Sequence, residues 1–225
     1  MAGFVKICGL STPDALDAAL DGGATHVGFI FFARSPRNVS ATEAAKLAAR
    51  AAGRAVTVAV TVDAGDDALD ALVATLRPGM LQLHGREAPD RVTALRRRFR
   101  LPVIKAVPVA ETGDLAAVGR YRGVADLILI DAKPPPGAAL PGGNGLAFDW
   151  SILQTMPRDV PFLLSGGINR GNLGEALAAR PAGVDVSSGV ESAPGVKDPE
   201  EIRRFLEMFR RLAGNAGSGK GVQAS

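Results

Sequence analysis

A single cysteine in 225 residues excludes an internal disulfide and fits a reducing compartment. The two histidines, His26 and His84, lie far apart, and no Cys/His spacing fits a metal site, so no metal is expected. Aromatic residues make up only 5% of the chain and none interleaves with its basic runs, Arg96-Arg97-Arg98 and Arg210-Arg211. With a net charge of +3, those runs read as solvated helix faces, and no nucleic-acid partner is expected. No apolar run approaches the roughly 18 residues that suggest a membrane span, so no membrane partner is expected either. No basic-then-apolar leader precedes the strand pattern at 4–8, and a cytoplasmic, enzyme-sized domain is the expectation.

What is present is a regular alternation. Apolar strand patterns fall near 4–8, 26–31, 56–62, 80–84, 102–107, 126–131, 161–165 and 183–187. Helical patterns fall between and after them, near 13–21, 41–52, 66–76, 88–98, 112–119, 149–154, 170–179 and 199–213. Thr12-Pro13, Ser40 with Glu43, and Asp198-Pro199 are credible helix starts. Eight strand–helix units in one run predict a parallel sheet closed into a single-domain (β/α)8 barrel (a TIM barrel) over residues 1–213. An open doubly wound sheet would carry a Gly-rich dinucleotide turn after the first strand, and none is present. The composition of 214–225 predicts a disordered tail. Two loops after strands, 32–40 and 132–147, exceed what a βα turn needs and become candidate covers for a site.

The last two strands end in Ser165-Gly166-Gly167 and Ser187-Ser188-Gly189, clusters with almost no side chain. Backbone N–H groups can approach an anion closely there, and the helix expected next would turn its positive end toward it. That pattern predicts a phosphate cup and a small phosphorylated substrate.

Side chains alternate along a strand, so a polar parity marks the barrel interior. On this reading Lys6, Cys8, Thr61, Asp63, Gln82, His84, Lys105, Asp131, Asp185 and Ser187 face inward, while Ile104 and Val62 face the helices. A near-neutral set of buried charges is costly as scaffold and sensible as a site. Lys6 shares a face with Cys8 and should favour its thiolate, and Asp131 stands across the barrel mouth as a candidate acid. A thiolate with a carboxylic acid makes a base/acid couple. His84 is divided between substrate contact and support, His26 is expected to be structural, and Arg37 suits a substrate carboxylate.

These residues carry a resemblance. Lys6-Ile7-Cys8-Gly9, Gly28 to Phe31 followed by Ser35-Pro36-Arg37, Leu81 to Gly85, Ile104-Lys105-Ala106 and Leu129-Ile130-Asp131 resemble phosphoribosylanthranilate isomerase. So do Gly142-Gly143-Asn144-Gly145, Phe148-Asp149-Trp150, Leu164 to Gly167 and Asp185 to Glu191, collinear over residues 4–213. Leu146 departs from the pattern, where a polar residue is expected. The resemblance implies an Amadori rearrangement in tryptophan synthesis, with Asp131 as general acid and Cys8 as general base. Arg37 would hold the anthranilate carboxylate, and Gly166, Gly167, Ser188 and Gly189 the phosphate. Beside these roles His84 and Asp185 stand as candidate substrate contacts, with the choice among Asp63, His84 and Asp185 left open. It implies no cofactor, a small-molecule substrate, and a monomer or homodimer. The histidine-pathway aminoaldose isomerase resembles a twofold-repeated barrel with aspartate where Cys8 stands. Indole-glycerol-phosphate synthase looks for lysine and glutamate at other strand ends. A non-catalytic barrel that binds phosphorylated metabolites is the alternative of a different class.

Overall fold

Short strands rich in Val, Ile and Leu need cover on both faces, which a closed barrel ringed by helices provides. The computed structural model describes residues 3–218 apart from positions 136, 139, 141, 144, 146 and 158. β1 (Phe4–Cys8), β2 (His26–Phe31), β3 (Val56–Thr61), β4 (Met80–Leu83), β5 (Val103–Val109), β6 (Leu127–Ala132), β7 (Phe162–Leu164) and β8 (Gly183–Val186) form a closed barrel in sequence order. The ring closes where Lys6 of β1 stands opposite Asp185 of β8 in parallel register. This is the expected (β/α)8 barrel.

α1 (Pro13–Asp21), α2 (Ala41–Ala51), α3 (Asp66–Leu76), α4 (Pro89–Phe99), α5 (Ala116–Gly119), α6 (Leu173–Ala178) and α7 (Pro199–Ser218) lie outside it. The caps read from sequence form: Thr12 Oγ1 accepts from Ala15 N, and Ser40 and Glu43 make a reciprocal capping box. Asp198 Oδ1 accepts from Glu200 N at the head of α7.

Several helical expectations change. Residues 112–119 split into a 3-10 turn (Thr112–Leu115) and one α turn, and the stretch after β6 is a 3-10 helix, Trp150–Thr155. α6 starts late because Asn169 and Asn172 turn their side chains onto backbone N–H groups of Gly171 and Asn169, competing with helix. After β8 comes a three-residue turn, Ser188–Val190, and then an unanticipated hairpin of β9 (Glu191–Ala193) and β10 (Val196–Lys197). α7 therefore begins beyond the hairpin, and the helix dipole expected at the cup is reduced to a turn too short to carry one. α7 also runs to Ser218, so residues 214–218 continue a helix where a disordered tail was expected, while 219–225 lie outside the described residues.

The core has two shells. Val5, Ile7, Val27, Phe29, Leu81, Ile128 and Val184 pack outward against the helices. Val58, Val60, Met80, Ile104, Ala106, Leu129 and Leu163 fill the barrel interior beneath Cys8. Two strands thus correct the expected parity. In β5, Lys105 shares the outward face with Val103, Val107 and Val109, and Ile104 points inward. In β3, Thr61 follows Ala59 outward, Val62 faces the cleft at the barrel mouth, and Asp63 turns away in a left-handed conformation (φ 48°). The lower interior is apolar, so valine and isoleucine belong there as readily as under a helix.

Lys105 is nonetheless fully served. Its Nζ donates to the Leu83 and Gly85 carbonyls at 3.1 and 2.7 Å and to Glu87 Oε2 at 2.9 Å, so it clamps the chain on both sides of His84. Arg96 and Arg98 of the basic run pair with Asp126 and with Asp66 and Asp70 on neighbouring elements.

His26 closes the bottom of the barrel, stacked on Phe4 with ring centroids 3.7 Å apart. Burial, with Lys6 nearby, holds its pKa down at about 4. An unfolded chain protonates this ring near pH 6.5, so stability falls as pH drops from there to about 4. We expect the difference in Tm between pH 7 and pH 4.5 to be smaller in His26→Gln than in the unaltered chain. Equal differences would remove His26 from the acid sensitivity.

Candidate active site

Strand ends and βα loops surround a cleft at the C-terminal mouth of the barrel. Cys8, Arg37, His84, Asp131, Gly166, Gly167, Asp185 and Ser188 all line it, so these predicted site residues meet in one place. Gly189 does not line it. A Cβ there would fall 1.9 Å from the Ile168 carbonyl, so this glycine serves the close approach of the loops after β7 and β8. Gly166, at φ +85°, likewise presses against the Ala132 backbone.

Beneath Cys8 lies a buried ion pair, Lys6 Nζ to the two Asp185 oxygens at 3.0 and 3.1 Å. A Cβ at Gly28 would stand 3.0 Å from Cys8 Sγ and from Lys6 Nζ alike, so glycine at this point of β2 lets the two crowd together. Burial pushes the Lys6 ammonium down, Asp185 and Cys8 push it up, and the net direction is up. Lys6 is therefore charged. For Cys8 the balance goes the other way: burial pushes the thiol above its usual range, outweighing Lys6. Burial thus opposes the thiolate that Lys6 was expected to favour.

Asp131 faces this pair as the last inward side chain of β6. Its Oδ1 accepts from Ala132 N, and its Oδ2 lies 3.0 Å from His84 Nε2. His84 Nδ1 in turn lies 3.0 Å from Gln82 Nε2, an amide nitrogen that can only donate. In that amide orientation the ring proton sits on Nε2 and points at the carboxylate. Rotating the amide would instead offer a ring lone pair to a protonated Asp131. His84 thus supports Asp131 whichever form it takes.

Arg37 is the larger surprise. It is a loop residue, yet only 4% exposed. Its Nε and Nη2 hold Glu191 Oε1 and Oε2 at 2.7 and 2.8 Å, so one edge of the guanidinium is already committed. The other edge lies under Gly143, whose carbonyl accepts from Nη2 at 3.3 Å. A Cβ on Gly143 would reach 2.7 Å from Arg37 Nη1, and one on Gly142 would reach 2.5 Å from Asp131 Oδ2. The glycine pair of the loop after β6 therefore lies flat against both groups. Leu146, the departure from the family pattern, falls outside the described residues.

Glu191 also meets Lys197 Nζ, which donates to Ser187 O and Oγ at 3.0 and 3.2 Å. Burial works against the Glu191 charge, but Arg37 and Lys197 hold its pKa down; burial lowers that of Lys197. Sequence reasoning missed the placement of Glu191 and Lys197. Glu191 stood in a quoted motif without a role, and Lys197 carried no signal. Among the described residues, no cluster of His, Cys, Asp and Glu is placed to hold a metal, and no helix is long and apolar enough to cross a membrane.

Comparison with known proteins places this geometry. The family model described as N-(5'phosphoribosyl)anthranilate (PRA) isomerase matches residues 5–208. The N-(5'-phosphoribosyl)anthranilate isomerase of Chelativorans sp. (strain BNC1) is 59% identical over 211 residues, covering 93% of this chain and 97% of its own. The crystal structure of phosphoribosyl anthranilate isomerase from Thermotoga maritima superposes with a TM-score of 0.81 at 33% identity, covering 95% of this chain and 99% of that one. A structure of such an isomerase in complex with reduced 1-(o-carboxyphenylamino)-1-deoxyribulose 5-phosphate matches with a TM-score of 0.79 at 31% identity, over 94% and 99% of the two chains. Fold and sequence agree along nearly the whole barrel, and the chain belongs to the N-(5'-phosphoribosyl)anthranilate isomerase family of enzymes.

Proposed function

We propose that this enzyme converts N-(5-phosphoribosyl)anthranilate to 1-(o-carboxyphenylamino)-1-deoxyribulose 5-phosphate, the Amadori step of tryptophan biosynthesis. The observation that carries the reading is Cys8 and Asp131 on the walls of one cleft, flanked by Arg37 and by the Gly166-Gly167 and Ser188 loops. Asp131 gives its proton to the ribose ring oxygen as the bond from that oxygen to C1 breaks. The lone pair of the anthranilate nitrogen closes a C1=N bond, leaving an iminium. Cys8, as thiolate, takes the proton from C2, and the C–H electrons form a C1=C2 bond while the nitrogen regains its lone pair. The resulting enolamine gains a proton at C1 and loses one from the C2 hydroxyl to become the ketone. Atoms balance within one substrate, and the iminium is its own electron sink, so the chemistry calls for no cofactor.

The arrangement of charge suits these steps. The substrate is anionic at both ends, and the cations Arg37 and Lys197 share one carboxylate, leaving surplus positive charge at the site. The iminium adds a cation in the same cleft, which favours the thiolate that burial disfavours. Gly166, Gly167 and Ser188 offer the phosphate a close backbone approach, and Arg37 offers the substrate carboxylate its Nη1/Nη2 edge once the Gly143 carbonyl yields. Asp185 serves by holding Lys6 charged and is a candidate contact for the sugar hydroxyls. A cytoplasmic setting goes with this reading.

The test is direct. Mixing the protein with freshly made N-(5-phosphoribosyl)anthranilate should change the anthranilate fluorescence at a rate proportional to protein concentration, with the ketose product recovered. Fluorescence indistinguishable from the spontaneous decay of the substrate would end the proposal.

A further inference from the structure

Arg37 and the Ser187-Ser188 turn stand on different elements, the loop after β2 and the end of β8, yet one buried strut joins them. Glu191 receives Arg37 Nε and Nη2 at 2.7 and 2.8 Å, and Gly195 N at 3.2 Å. Lys197 Nζ donates to the same Glu191 carboxylate and, at 3.0 Å, to the Ser187 carbonyl. Ser187 Oγ in turn donates to the Cys8 carbonyl at 3.1 Å. The side chains of Glu191 and Lys197 are 4% and 1% exposed. The hairpin turn carrying them is seated on the Arg37 loop, since a Cβ at Gly195 (φ +84°) would lie 2.7 Å from the Pro36 carbonyl.

We infer that Glu191 and Lys197 are positioning residues that fix the span between the carboxylate-holding Arg37 and the phosphate-holding turn. They thereby select ligands bearing an anion at each end. The inference rests on the reading of those two anion sites given above. A hairpin held only for packing would need one cation on Glu191. Two cations, each tied to a different wall of the cleft, make a rigid link between the walls. Two sites at a fixed separation bind a ligand of matching length far better than either end alone, because the second contact forms at a high effective concentration. Once the walls can drift, that advantage goes, while each site keeps its own affinity.

The experiment compares competitive inhibition constants for three probes: reduced 1-(o-carboxyphenylamino)-1-deoxyribulose 5-phosphate, anthranilate, and inorganic phosphate. In Glu191→Gln the two-anion probe should weaken by at least about tenfold, while each single-anion probe changes by less than about threefold. Lys197→Met should show the same selective loss and carries the test if Glu191→Gln does not fold. The double variant should be no worse than the more affected single, since both cut one strut. Uniform weakening of all three probes, an unchanged two-anion constant, or additive losses in the double variant would each overturn the inference. Arg37→Met separates this failure from failure of the site reading. Unchanged anthranilate inhibition there removes the carboxylate site itself. Weakened anthranilate there, beside an intact two-anion preference in Glu191→Gln, removes only the strut.

Discussion

Replacing Asp131 by Asn should lower kcat by about 10²- to 10⁴-fold while KM stays within about threefold. The substitution keeps the shape of the side chain and its ability to meet His84 Nε2 and Ala132 N, both about 3.0 Å away. What it removes, on the proposed mechanism, is the proton that ring opening requires. Ring opening cannot be bypassed, because the C1=N bond that makes the C2 proton acidic exists only after the ring oxygen has left. Steady-state kinetics followed by anthranilate fluorescence decides between a chemical and a scaffold role. A scaffold role would raise KM or lower Tm with little change in kcat.

The barrel was legible in the chain because each unit repeats one physical requirement: a short apolar strand covered by a capped helix. Parity along β1, β4 and β8 was readable because polar and apolar residues alternate there, as in Lys6 and Cys8 against Val5 and Ile7, while in β6 the single Asp131 at the strand end sets it. It failed along β3 and β5, where the lower interior takes valine and isoleucine and the outer face finds partners for Lys105 and room for Thr61. Polarity marks the interior only near the mouth, where the cleft begins.

The site was legible where a residue type implies its own chemistry. Cys8, Asp131 and the glycine clusters could be picked out one by one, and they meet. Glu191 could not be tied to Arg37, since 154 residues separate them and neither type is unusual in a loop. The state of the Cys8 sulfur was also beyond reach. Lys6 two residues away argued for thiolate, but the opposing burial is a property of the folded barrel, in which the residue is only 5% exposed.

That sulfur carries the second large effect. Cys8→Ser should lower kcat by at least about 10²-fold, because an alcohol cannot ionise in the accessible range and its neutral form is a feeble base for a carbon acid. Binding of the reduced product should change by less than about threefold, since the swap shortens one wall atom and leaves Lys6, Asp185 and the anion sites in place. The pH profile makes the assignment specific. In the proposed mechanism the productive state of the couple carries its proton on the carboxyl and not on the sulfur, so kcat/KM should fall on the alkaline side where the couple loses its last proton. Burial pushes the Cys8 thiol upward against Lys6 and Lys197, with Asp185 adding to the rise. The alkaline limb of kcat/KM should therefore lie above the ordinary thiol value of about 8.5, and it should be missing from the residual activity of Cys8→Ser. A variant that keeps both its turnover and that limb would show the base to be some other group in the cleft.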